Sequence, residues 1–252
     1  MDEFNRSRLE QYVYQTLPEI LKSASFINTA SIILTEDDSN SIWDLLIIFP
    51  NDKFATFSAQ FGDSYVYDDH NHLPPIFTKF RNLDWLKIDL ERRRSIALWI
   101  LTNSIILTDP NALIGRLIDK HEIMFKRNVP NLVRIKYLEL RTERHNLRDA
   151  IRFDRKIAVD IIRSTIVKLA LELSFLAEVR PYPYKKWLPE IAISSTEYGK
   201  TIASSSMQFL NAKNSEDIIN LSQVLVDTVN EMLREKKALN ADTFDRWWTY
   251  LP

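Results

Sequence analysis

Cysteine is absent from this 252-residue chain, and glycine is scarce, with only Gly62, Gly115 and Gly199. Without cysteine the protein has no disulfides, no thiolate zinc site and no thiol nucleophile. So few glycines leave no loop of the GxGxxG or GxxxxGK type, in which glycine lets the backbone approach a phosphate. Any phosphate chemistry must therefore depend on carboxylates with a metal ion, or on lysine and arginine side chains.

Long apolar runs and an excess of one charge are also missing. The longest apolar candidate, residues 95–107, falls short of the roughly 20 residues that a membrane-spanning helix needs, and it contains Thr and Asn. The N-terminus is acidic and then amphipathic, which is not the pattern of a signal peptide. A net charge of −1 provides no basic field to attract nucleic acid. We therefore expect a cytoplasmic protein that does not contact a membrane.

The hydrophobic periodicity predicts an α+β fold in two parts. A first helix is predicted at residues 5–23. Strands are predicted at residues 30–34, 43–49, 54–61, 65–67 and 83–91, with a helix from residue 95 leading into a short strand at 105–107. Helices are predicted from there on, at residues 112–127, 130–153, 154–179, 194–210, 216–237 and 241–250. The chain should thus contain an N-terminal mixed sheet with flanking helices, residues 1–115, followed by a helical bundle, residues 116–252.

Two carboxylates occupy similar places in this scheme. Asp44 lies in "IWDLLIIF" and Asp89 in "WLKIDLE", each on a predicted strand. Adjacent strands would bring the two together, and convergent carboxylates suit Mg²⁺, which can serve phosphoryl or nucleotidyl transfer. In the structural alternative, Asp44 caps a strand or pairs with Lys87, and Asp89 pairs with one of Arg92–Arg94. Spacing alone favours this alternative.

A second candidate is the proline-rich segment "RPYPYKKWLPE". Its cations and aromatic side chains alternate: Arg180, Tyr182, Tyr184, Lys185, Lys186 and Trp187. Cations beside aromatic rings suit a phosphate or a planar ring. The alternative is a connector between helices whose aromatic rings pack on the bundle. Packing is favoured for the rings, and both interpretations stay open for Lys185 and Lys186.

The order of these segments resembles the nucleotidyltransferase superfamily, which has the DNA polymerase β-like fold. The resemblance is strongest to aminoglycoside and lincosamide nucleotidyltransferases and their uncharacterised relatives. Those proteins have a helix, a Gly-Ser turn, a strand with Asp-x-Asp, a later strand with a third Asp, and a helical domain. The matching segments here are "SIWDLLIIFP", "LKIDLE", "IILTDP" and "RPYPYKKWL". The resemblance spans nearly the whole chain, and it depends on the order and spacing of the segments.

This resemblance implies that the protein transfers a nucleoside monophosphate from an NTP to a hydroxyl group of a small-molecule or macromolecular acceptor. Asp44 and Asp89 would be the catalytic residues and the ligands of Mg²⁺. The implied nucleotide- or substrate-binding residues are Ser31, Arg180, Tyr182, Lys185 and Lys186.

The chain also departs from the family pattern. Leu46 replaces the second Asp of Asp-x-Asp, and "NTASI" at residues 28–32 lacks the glycine of the turn. Loss of one carboxylate weakens a Mg²⁺ site severely, unless Asp37 or Asp38 replaces it. These departures favour reduced or lost transfer. The alternative function is a catalytically inactive protein of this fold that binds a nucleotide, another ligand or a protein partner, for example in a toxin–antitoxin or defence pair.

Overall fold

A computed structural model describes residues 3–20, 28–35, 43–63, 66–69 and 75–250. In the first half the helices are α1 (Glu3–Gln11), a π-helical turn (Tyr12–Thr16), α2 (Leu17–Ile20), α3 (Asn51–Phe61), α4 (Leu83–Arg92) and α5 (Arg94–Thr102). The strands are β1 (Ser31–Thr35), β2 (Trp43–Phe49), β3 (Val66–Asp69), β4 (Ile76–Asn82) and β5 (Ile105–Thr108). The helices that follow are α6 (Leu113–Arg152), α7 (Lys156–Ala177), α8 (Leu188–Ser195), α9 (Gly199–Asn211), α10 (Ser215–Glu235), α11 (Ala241–Asp245) and a 3₁₀ turn (Trp247–Tyr250).

The chain divides into two units, residues 1–122 and 123–252. The predicted boundary lies between residues 115 and 116, and helix α6 runs through both positions. The first unit contains the sheet with its flanking helices and the second is helical, so the predicted α+β class is confirmed. None of the described helices is both long enough and apolar enough to cross a membrane.

The sheet of the first unit has the strand order β3-β4-β2-β1-β5. Strands β2 and β4 are parallel, and the other pairs are antiparallel. Because side chains alternate along a strand, the register fixes two faces. One face packs a buried core from β1, β2 and β4 against the N-terminal helical segment and α3. Positions 44, 46 and 48 of β2 and positions 77, 79 and 81 of β4 lie on the other face.

Two predicted strands are helices. Residues 54–61 belong to α3, where Phe54 and Phe57 are buried and Phe57 stacks on Phe49 with a centroid distance of 5.1 Å. Residues 83–91 belong to α4. The alternation at Leu86, Ile88 and Leu90 suggested a strand, but Ile88 is 47% exposed while Leu86 and Leu90 are buried, as helical i, i+4 spacing requires.

The sequence analysis also missed one strand and divided one helix in two. Strand β4 follows Pro75 and was not predicted, although Ile76, Thr78 and Phe80 are buried and alternate with half-exposed residues. The helices predicted at residues 112–127 and 130–153 form the single 40-residue helix α6, with Pro130 inside it. Pro130 is exposed, so its ring is accommodated on the outer face of the helix while the buried stripe continues through Val129 and Val133.

In the second unit, α7, α8, α9 and α10 pack on one another. Gly199, the first residue of α9, lies so close to α8 that a methyl group in its place would overlap the carbonyl group of Ala192. Arg163 of α7 is buried, and its Nη2 donates to the carbonyl oxygens of Phe209, Leu210 and Ala212 at the C-terminal end of α9. These contacts satisfy carbonyl groups that the end of a helix leaves without donors.

Candidate functional site

Asp44 lies near the start of β2, on the face opposite the core that contains Trp43 and Leu45. Its carboxylate is half-buried and lies 4.0 Å from the ammonium group of Lys79. Lys79 belongs to β4, the parallel neighbour of β2, and stands opposite Leu46 in the register. The predicted partner, Lys87, instead pairs with Asp84 at 2.9 Å. The Asp44 carboxylate of β2 therefore faces a lysine from the neighbouring strand.

Asp89 does not lie on a strand. It lies in α4, and its two carboxylate oxygens accept hydrogen bonds from Arg93 at 2.6 and 2.5 Å, one turn further along. The structural alternative, a pair with one of Arg92–Arg94, is the arrangement observed. The later strand that lies beside β2 is β4, whose sequence "IFTKFRN" contains no carboxylate.

Ser31 begins β1 and is buried. Its hydroxyl group donates to a carboxylate oxygen of Asp109 at 2.7 Å. The same carboxylate accepts hydrogen bonds from the backbone N–H groups of Leu113, Ile114 and Gly115 at 2.9 to 3.1 Å. Asp109, in the "IILTDP" segment, is thus a cap for the first turn of α6, and Ser31 orients it.

In the helical unit, Tyr182 belongs to a buried ionic cluster. Lys136 of α6 donates to Glu172 at 2.5 Å and lies 5.3 Å from the centre of the Tyr182 ring. Burial alone would lower the pKa of Lys136, but the charge of Glu172 and the contact with Tyr182 raise it above its ordinary value. Burial, then the charge of Glu172, raises the pKa of the Tyr182 hydroxyl. Tyr182 therefore stays neutral and fixes Lys136 in the bundle.

The three cations of the "RPYPYKKWLPE" segment have separate partners. Arg180 donates to the carbonyl oxygen of Ser195, and its Nη1 lies 3.6 Å from Glu178. Lys185 is exposed, with its ammonium group 6.0 Å from the centre of the Tyr184 ring. Lys186 is exposed and lies 4.0 Å from the centre of the Trp187 ring. The segment connects α7 and α8, and Lys185 and Lys186 are open to solvent, so their role in binding a nucleotide or substrate stays a prediction.

The described residues do not fit Mg²⁺. Asp44 faces a cation, position 46 is an almost fully buried leucine, and Asp89 is held by Arg93 in a helix. In the part of the chain that the structure describes, no group of three or more His, Cys, Asp or Glu side chains is placed to hold a metal ion. Asp37 and Asp38, the suggested replacements, lie outside the described residues.

Sequence reasoning missed Lys79 because it missed β4. The signal was present: residues 76–80 are rich in β-branched and aromatic side chains and directly follow Pro74 and Pro75, which is typical of a strand that starts after a loop. Recognition of that strand would have placed Lys79 and Arg81 on one face, together with Phe77.

The sheet and its helical continuation have the fold of a nucleotidyltransferase-like protein. The chain is similar to the crystal structure of a nucleotidyltransferase-like protein from Exiguobacterium sibiricum 255-15, with a TM-score of 0.50. The two chains are 13% identical, and the match covers 90% of this chain and 75% of that chain. At this identity the likeness shows the fold alone. No protein-family model and no curated protein matches the chain.

Proposed function

We propose that this protein is a catalytically inactive member of the nucleotidyltransferase fold whose sheet binds a nucleotide without a metal ion. One observation carries the proposal: the ammonium group of Lys79 lies 4.0 Å from Asp44, the sole carboxylate of the strand that resembles Asp-x-Asp. A side-chain cation thus occupies the neighbourhood in which the resemblance expects Mg²⁺.

Charge supports the proposal that Lys79 takes the place of a metal ion beside Asp44. A lysine close to Asp44 neutralises the carboxylate and repels a divalent cation placed beside the same oxygens. Mg²⁺ also needs near-octahedral oxygen geometry, and Leu46 provides no oxygen in its side chain. A lysine ammonium group is itself a common partner of phosphate, as a point charge with three donors.

The same face of β4 supports a nucleotide as the ligand. Lys79 lies 4.9 Å from the centre of the Phe77 ring, and the guanidinium of Arg81 lies 5.5 Å from the centre of the Trp85 ring. Trp85 is 36% exposed, and Lys79 keeps 41% of its side-chain surface open to solvent. Cations next to accessible rings provide partners for both the phosphates and the base of a nucleotide.

The test is isothermal titration of the protein with ATP, GTP, CTP and UTP, each with and without Mg²⁺. We expect binding of at least one nucleotide that does not require Mg²⁺. Lys79→Ala should weaken it by about tenfold, the loss of one charge-assisted contact. Asp44→Ala should leave the affinity unchanged or raise it, because it frees Lys79. Lys53→Ala, which removes an exposed lysine of α3, is the matched control.

Binding that requires Mg²⁺ and disappears in Asp44→Ala would contradict the proposal. It would favour the active enzyme, which transfers a nucleoside monophosphate to a hydroxyl acceptor, and the release of pyrophosphate from the bound NTP would then be measured. Absence of nucleotide binding under both conditions would also contradict the proposal and favour a protein-interaction module.

A further inference from the structure

The helical unit contains a basic cavity that lies outside the nucleotide face. It has a volume of about 330 Å³ and lies where the end of α6, the start of α7 and the start of α10 meet. Four cationic side chains and two carboxylates line it: Arg155, Lys156, Arg163, Lys213, Asp154 and Asp160. The lining therefore carries two net positive charges. Its volume is at the lower end of the range of small-molecule sites, about 300 to 1,000 Å³.

The start of α7 contradicts the usual placement of charge in a helix. Acidic residues stabilise the first turn, where the helix dipole is positive, and cations destabilise it. Helix α7 has 22 residues, no acidic residue in its first turn and no side-chain cap. Arg155 is its N-cap residue and Lys156 its first residue. Two cations at a positive helix end favour an anion as their partner.

The two lysines are available to such an anion. In the described part of the chain neither Lys156 nor Lys213 has a carboxylate partner. Lys213 lies two residues before α10, which begins at Ser215 and also lines the cavity. Both lysines are exposed, so they can approach a ligand without loss of an existing ion pair.

Arg163 adds a fixed charge to the cavity wall. It is 8% exposed, its Nη2 is held by the end of α9, and its Nη1 is 4.0 Å from Asp160. Its Nε is buried without a hydrogen-bond partner. Asp160 is thus at the longest distance at which an ion pair forms. The positive charge of the buried Arg163 guanidinium is therefore only partly compensated.

We propose that this cavity binds the phosphate group of a small phosphorylated molecule. A phosphomonoester carries nearly two negative charges at neutral pH, because its second pKa is near 6. That charge matches the two net positive charges of the lining. At the start of α7, which has no side-chain cap and no acidic residue in its first turn, backbone N–H groups supply further donors of the kind that bind phosphate. The site is independent of the nucleotide face on β4.

The experiment is isothermal titration with ribose 5-phosphate, with ribose and inorganic phosphate in parallel, in chloride buffers of equal ionic strength. We expect saturable binding of ribose 5-phosphate and of phosphate, and none of ribose. Lys156→Ala/Lys213→Ala should weaken binding by about tenfold or more, since two charge-assisted contacts are lost. Lys213→Arg should retain binding, because it keeps the charge.

Two controls make the result specific. Lys200→Ala removes an exposed lysine of α9 outside the cavity and should leave the affinity unchanged. Lys79→Ala should retain saturable binding of ribose 5-phosphate, which separates this site from the proposed nucleotide face. Circular dichroism and the melting temperature of each variant without ligand establish that it is folded.

The proposal is overturned if the wild type shows no saturable binding of phosphate or ribose 5-phosphate at millimolar concentration. It is also overturned if the double variant binds as well as the wild type, or if Lys79→Ala abolishes the binding. Binding of a short single-stranded oligonucleotide through Lys156 and Lys213, without binding of either phosphate compound, would assign the surface to nucleic acid instead.

Discussion

Glu172 is a single buried carboxylate that accepts from two lysines. It is 3% exposed, and it lies 2.5 Å from Lys136 and 3.1 Å from Lys168. Lys168 keeps 47% of its side-chain surface in solvent, whereas Lys136 keeps 15%. Removal of Glu172 would therefore leave the buried charge of Lys136 without a partner, whereas Lys168 could turn toward water.

We expect Glu172→Leu to lower the free energy of unfolding by about 3 kcal/mol, because removal of one partner leaves a buried charge uncompensated. Lys136→Met/Glu172→Leu should recover part of that loss, since no buried charge remains. Urea unfolding of the wild type and the three variants, including Lys136→Met, measures the coupling. A double variant less stable than Glu172→Leu would contradict this account of the cluster.

His121 is a buried histidine whose Nδ1 has no hydrogen-bond partner. Burial, and then the charges of Lys120 and Arg94, lower its pKa below the ordinary value of 6.5. The folded protein consequently holds this imidazole neutral, while the unfolded chain takes up a proton near pH 6.5.

Because the unfolded state binds the proton more tightly, stability should fall as the pH falls below 6.5, by at most about 1.4 kcal/mol per pH unit for this group until its folded pKa is reached. His121→Gln should flatten the dependence between pH 7 and 5. His145→Gln, at an exposed position of the same helix, should not. Urea unfolding at several pH values makes the comparison, and equal slopes for the wild type and His121→Gln would refute the prediction.

At the scale of secondary-structure elements, the long helix α6 depends on Asp109 for its start. Three backbone N–H groups and the Ser31 hydroxyl donate to one carboxylate, so β1 and the start of α6 share this residue. In this chain, the aspartate of the "IILTDP" segment therefore has a structural role as a helix cap.

We expect Asp109→Ala to destabilise the first unit by about 2 kcal/mol, the upper range for the loss of a helix cap. Asp109→Asn should cost less, because an amide oxygen still accepts from N–H groups. Asp119→Ala, at an exposed position of the same helix, is the matched control and should cost less than about 0.5 kcal/mol. Thermal unfolding of the three variants would show whether this order holds.

Strands β1, β2 and β5 were predictable because each is a short apolar run bounded by polar residues. Helix α4 was not predictable from periodicity, because the apolar residues of "LDWLKIDLE" fit the period of two of a strand and the i, i+4 spacing of a helix equally well. Its N-terminal signal is Asn82, whose side chain accepts from the N–H of Trp85. Asparagine directly before a first turn that contains an acidic residue, here Asp84, is a common helix start, and this local signal decides between the two periods.

The candidate site was less predictable than the fold. Asp44 was identified as a residue at the start of a strand, but its partner Lys79 depends on the parallel pairing of β2 with β4. Pairing between strands 33 residues apart is a property of the sheet and leaves no mark in the local sequence. The proposed pairing with Lys87 failed because residues 83–91 form helix α4, in which Lys87 pairs with Asp84.

At the scale of the whole molecule, opposite charges nearly cancel. The chain has 33 Lys and Arg against 34 Asp and Glu, and its isoelectric point is about 6.5. Proteins with a net charge near zero repel one another weakly.

We therefore expect a solubility minimum between about pH 6 and 7 at low salt. Lys200→Glu, at an exposed position, should shift the minimum to lower pH, because it makes the net charge more negative. Turbidity of concentrated samples from pH 5 to 8 checks this expectation. A minimum that stays in place in the variant would indicate that association depends on a local surface instead.

The close contact of Gly199 with Ala192 has a consequence for the recognition of homologues from their sequences. Every larger side chain at position 199 would collide with backbone atoms, which cannot move as the end of a flexible side chain can. This steric requirement is set by backbone packing and does not depend on whether the protein is catalytically active. We therefore expect distant homologues with this helix junction to share the glycine, which would anchor their sequence alignment at a position outside the candidate site.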